Sequence, residues 1–123
     1  MKIVLLGDVP SKKNSRITVR STGRGFPSKN YQQWERNQLK QVAGIPQLVS
    51  KDSPASIEIR MFPSTRRAGD LTNKAESVND LLVKAGIIED DNWFVLRGVS
   101  LQFGGVDKEN PRVEIEVKHD SNP

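Results

Sequence analysis

Leu71, Ala75, Val78, Leu82 and Ala85 recur at i, i+4, i+7, i+11 and i+14, and Gly86 stops the run. This spacing predicts a helix from 71 or 72 to about 85 that buries one stripe, and strand patterns flank it on both sides. ASIEIRMF at 55–62 sets Ile57, Ile59 and Met61 against Glu58 and Arg60, the period of a strand with one wet face. Residues 93–103 and 112–118 also alternate, across the turn-like GGVDKENP, and are expected to pair as an antiparallel hairpin. A one-stripe helix between such segments must lie on a sheet.

The rest of the chain fills in that layer. KIVLLGDV at 2–9 reads as a strand ended by Pro10, PSKKNSR as a basic loop, and 16–20 with STGRGFPS as a hairpin. A second helix is predicted from Ser28 or Lys29 to Val42, with Tyr31, Trp34, Leu39 and Val42 on one face and Gly44 as its stop. The fold class expected is α/β of the α+β type: one domain over 1–123, with a mixed sheet of four to six strands and two helices.

Composition narrows the chemistry. With no cysteine and His119 as the one histidine, a thiol nucleophile, a cysteine zinc site and a two-histidine metal cluster are all excluded. Any metal must rest on oxygen ligands, which suit Mg²⁺ or Mn²⁺. The start MKIVLLGDVP reads as neither a signal peptide nor a membrane span, so a cytoplasmic protein with no membrane partner is expected.

The net charge of +4 conceals a segregation. Residues 1–69 carry 13 basic and 4 acidic side chains, whereas 70–91 hold Lys74 and Lys84 against Asp70, Glu76, Asp80, Glu89, Asp90 and Asp91. An acidic island beside a basic field fits a carboxylate metal site working on a phosphate backbone. A solvated charged helix explains the same composition. At about 100° per residue, Asn73, Glu76 and Asp80 share the face opposite the apolar stripe. Each acid also has an ordinary role: Asp70 as a helix cap, Asp80 paired with Lys84, and Asp90 and Asp91 in a turn before Asn92. Asp70 and Asp91 converge only if the strands flanking the helix are neighbours.

The run DLTNKAESVNDLLVKAGIIEDDNWFV resembles the core of the RusA family of Holliday-junction resolvases, found in bacteria and their phages and prophages. Asp70, Asn73, Asp80, Leu82, Gly86, Asp90 and Asp91 fit its pattern in order and spacing, and Pro10, Ser11, Lys12, Lys13 and Asn14 look like its basic N-terminal loop. There are two departures. Thr72 stands where the family commonly has a second Asp, and Glu76 where it commonly has a helical Lys. We read these as a relocation, with Glu76 replacing the lost carboxylate and Lys74 the lost cation, although Lys74 lies about 160° from Glu76 around the helix.

The resemblance implies a homodimer that resolves four-way junctions or related branched DNA by paired symmetric cuts, and a two-fold protein suits a two-fold substrate. It implies Mg²⁺, or Mn²⁺, held by Asp70 and Asp91 with Glu76 and Asp90, and Asp80 orienting a ligand. Phosphate contacts are expected from Lys12, Lys13, Arg16, Arg20, Arg24, Arg66 and Arg67, with Asn14 bridging a phosphate or holding its own loop. Tyr31 and Trp34 belong to the core by their stripe. The competing readings are a catalytically inert module that binds branched DNA, and an interaction protein whose acids are only a solvated face.

Overall fold

The computed structural model describes residues 1–10, 16–18 and 25–120. The elements are β1 (Lys2–Leu6), β2 (Arg16–Thr18), β3 (Gly25–Pro27), α1 (Lys29–Gln41), β4 (Ala55–Phe62), α2 (Leu71–Lys84), β5 (Leu96–Phe103) and β6 (Arg112–His119). The main sheet has the order β1-β6-β4-β5, and β2 pairs with β3 as a separate antiparallel ribbon. Two helices on a four-stranded mixed sheet are the architecture the periodicities imply.

The two C-terminal strands form where alternation places them, but they are not neighbours. Both flank β4 instead: β6 runs antiparallel to it and also pairs with β1, while β5 runs parallel to it. Alternation fixes which face of a strand is wet, not which strand lies beside it. The hairpin expected from residues 93–118 is therefore replaced by a β4-α2-β5 crossover, with β6 inserted on the other side of β4.

The core lies between the sheet and the helices. Ile3, Leu5, Ile57, Ile59, Val113 and Ile115 meet Val78, Leu81 and Leu82 of α2 and Tyr31 and Trp34 of α1, all buried. The Tyr31 and Trp34 rings pack 5.6 Å apart. Burial, followed by the nearby charges of Glu35 and Asp80, pushes the Tyr31 phenol up to about 12. Gln38, buried within the helix stripe, donates to the Leu6 carbonyl at 2.9 Å and so fixes α1 to the end of β1. Ser77 of α2, also buried, donates to the carbonyl of Pro10 at 2.8 Å.

The other face of the sheet is charged. Lys2 and Arg112 both reach Glu114 at 2.7 Å, and Lys118 reaches Glu58 at 2.9 Å. Among the described residues, no helix is long and apolar enough to cross a membrane.

Candidate nuclease site and cationic cavity

Asp70 begins α2. Its Oδ1 accepts from the backbone N–H groups of Thr72 at 3.1 Å and Asn73 at 3.2 Å, and from the Thr72 hydroxyl at 2.8 Å; its Oδ2 accepts from the Asn73 amide at 3.1 Å. This is an N-cap, satisfying donors that the first turn leaves open. Thr72 thus serves Asp70 as a donor at the place where the family pattern has a further carboxylate.

Asp90 and Asp91 lie beyond the other end of the helix. The Asp90 carboxylate is held below the usual range, first by the backbone N–H of Asp91 at 2.7 Å and then by the Asn92 amide at 3.2 Å. That is the geometry of a turn residue. Asp91 is exposed, next to the exposed rings of Trp93 and Phe94.

The strands flanking α2 are neighbours, the condition set by the sequence for these acids to meet. Because they are parallel, the helix must return the chain across the full sheet before β5 starts. Asp70 stands at the C-terminal end of β4, and Asp90 with Asp91 at the N-terminal end of β5. The 14 residues of α2 separate them by a helix about 20 Å long. Among the described residues, no three Asp, Glu or His side chains come together to hold a metal. Glu76 is exposed on α2. Asp80 is half-buried, close enough to act on Tyr31 of α1, while Lys84 pairs with Glu35 at 2.6 Å.

The predicted cations divide in two. Lys12, Lys13, Asn14, Arg20 and Arg24 lie outside the described residues, and Arg16 is described only as backbone in β2. Arg66, Arg67 and Lys74 are brought together at a cavity of about 700 Å³ beside the start of α2. Lys74 folds back across Gly69, where a Cβ would stand 3.1 Å from its Cε. These three cations form no ion pair among the described residues.

Sequence reasoning missed the remaining walls of that cavity. Phe62 and Phe103 come from the ends of β4 and β5, Asp8 from the exit of β1, and Arg112 from the start of β6. Arg112 is already engaged: its guanidinium lies 4.0 Å from the Phe62 ring centroid and contacts Asp107 and Glu114, each at 2.7 Å. Asp8 accepts from the backbone N–H and the hydroxyl of Ser64.

No curated protein matches the chain. A family match does exist, and it spans α1, α2, strands β2 to β5, β6 up to its last residue, and every acid of the candidate site, beginning just after β1. Residues 7–118 match the family described as Endodeoxyribonuclease RusA, and the chain belongs to that family.

Proposed function

We propose that the chain is a Mg²⁺-dependent endodeoxyribonuclease, with Mn²⁺ as an alternative ion, that resolves four-way junctions or related branched DNA as a homodimer. The observation that carries this reading is the match to the RusA family over residues 7–118, whose membership implies Holliday-junction resolvase function. The cations Arg66, Arg67 and Lys74, without an ion-pair partner among the described residues and close in sequence to Asp70, support it, because they supply attraction for a phosphate backbone near a carboxylate.

Nucleases of this family are metal-dependent, and the described residues of one chain do not assemble a three-carboxylate centre. The crossover geometry supports a division of the site between two copies. A two-fold axis crossing α2 near its middle sets the two helices antiparallel, and the Asp70 end of each then faces the partner's Asp90 and Asp91. Two equivalent sites result, one for each strand of a symmetric substrate. A bound divalent ion there supplies Lewis-acid polarisation of the scissile phosphate and an activated water. In this reading Glu76 adds a carboxylate from the exposed face of α2, Asp80 orients its neighbours, and Lys74 stands close to the phosphate.

A second reading, a branched-DNA-binding module without cleavage, draws on Thr72, whose hydroxyl caps Asp70 where the family pattern has an acid. Titrating Mg²⁺ into the protein with an end-labelled synthetic four-way junction separates the two. Symmetric nicking that disappears in Asp70→Asn and Asp91→Asn supports the enzyme. A gel shift without nicking at any Mg²⁺ concentration supports the module, and equal affinity for junction and linear duplex removes both.

A further inference from the structure

The cavity at the start of α2 differs from a phosphate-tracking groove in one respect: much of its lining is apolar. Met61 and Phe62 of β4, Phe103 of β5 and Val106 line it together with Arg66, Arg67 and Lys74. Phe103 is 64% exposed and Val106 42%, so large apolar surface faces solvent inside a recess. A volume of about 700 Å³ is within the range of small-ligand pockets.

Gly104 makes room for the Phe62 ring. A Cβ there would lie 2.5 Å from two atoms of the Phe62 ring, so only glycine lets the ring rest against the backbone after β5. The ring is also stacked on Arg112, whose charge is neutralised by Asp107 and Glu114. The remaining acid of the wall, Asp8, is occupied by Ser64. Among the described residues, the unmatched charge of the lining is therefore positive.

An apolar, aromatic recess lined also by three cations that have no ion-pair partner among the described residues fits a flat, π-faced group carrying phosphate. Within a duplex the base faces are covered by their neighbours, so a recess of this kind has access only to a base already out of the stack. We propose that the cavity is a pocket for one unstacked nucleotide of a branched DNA, with its base against Phe103 and its phosphates held by Arg66, Arg67 and Lys74. The proposal rests on the branched-DNA reading for the source of that nucleotide. It does not rest on cleavage.

The test is an NMR titration of the intact protein, in EDTA, with a 5′-phosphorylated thymidine trinucleotide and, separately, a blunt duplex of ten base pairs. The trinucleotide is expected to shift the amide signals of Phe62, Gly69, Phe103 and Val106. Phe103→Ala should weaken its binding about 10-fold, the order of a lost base–aromatic stack, and Phe103→Tyr should restore it. Saturable binding that leaves those four signals unmoved overturns the pocket, as do no binding at millimolar probe, equal affinity in Phe103→Ala, and preference for the duplex. A junction left uncut by a protein that still takes the trinucleotide into the pocket refutes the nuclease reading and leaves this one standing.

Discussion

If the nuclease site is divided between two copies, two inactive variants must repair one another. Asp70→Asn keeps an oxygen to accept from the Thr72 and Asn73 backbone, now at 3.1 and 3.2 Å, and gives up the charge at the helix start and the exposed bond from the Asn73 amide. That charge is worth about 0.3–1 kcal/mol, so the variant stays folded. Asp91 is exposed, and Asp91→Asn is equally mild for folding. Each variant alone spoils both sites of its dimer. In a mixed dimer, one site receives both substitutions and the other receives neither, because the intact Asp70 and the intact Asp91 meet there. Random exchange of an equal mixture makes half the dimers mixed, each with one working site out of two. Single-strand nicking should then recover to about one quarter of the wild-type rate, with no paired cuts. The assay mixes the purified variants, allows subunit exchange, and follows nicked and linear products of a cruciform plasmid. Separately inactive variants that stay inactive after proven exchange would place both acids in one chain's site and refute the argument from the crossover.

Glu76→Gln should slow cleavage by about 100-fold or more, the loss of several kcal/mol of charge stabilisation, with junction affinity changed less than about 3-fold; near-normal cleavage retires Glu76 from the site. Gly104→Ala forces a methyl into the space of the Phe62 ring and to 2.9 Å from Arg60 Cγ, and should cost about 1–3 kcal/mol in urea unfolding, with a smaller loss expected in the double variant Phe62→Ala, Gly104→Ala relative to Phe62→Ala alone. The carboxyls of Glu58, Asp107 and Glu114 are held below their ordinary range by Lys118, Arg112 and Lys2 respectively, each as the first cause. Their folded pKa values lie under the unfolded ones, so the stability they give is present above about pH 4 and lost as pH falls through the folded values. The urea midpoint should drop on acidification from pH 5 to pH 3, and Glu114→Gln should flatten that slope.

The helices and strands were readable from periodicity because burial acts residue by residue. The stripe from Leu71 to Ala85 gave α2 to within a residue, and the alternation of Ile57, Ile59 and Met61 gave β4. What periodicity lacks is direction. Residues 93–103 look the same whether they return beside β6 or run parallel to β4, and that one difference sends Asp70 and Asp91 to opposite ends of a helix. The cavity was invisible for a related reason. Its walls come from four stretches around Asp8, Phe62 to Leu71, Phe103 and Arg112, and no local pattern ties them. Gly69 and Gly104 were the nearest signals, but a glycine reveals the closeness of a neighbour without naming it. Asp90 shows the opposite case, since its turn geometry was an ordinary local expectation and the structure contains it.

The β4-α2-β5 crossover also has a consequence for how such an enzyme is switched on. Under the two-copy reading a lone chain carries the two halves of its own blade permanently out of reach of each other, held apart by a rigid rod. Cutting then begins only when chains meet, so activity falls with the square of protein concentration once the solution is more dilute than the dimer's dissociation constant. A freshly made or scarce chain is thereby harmless to the genome that encodes it.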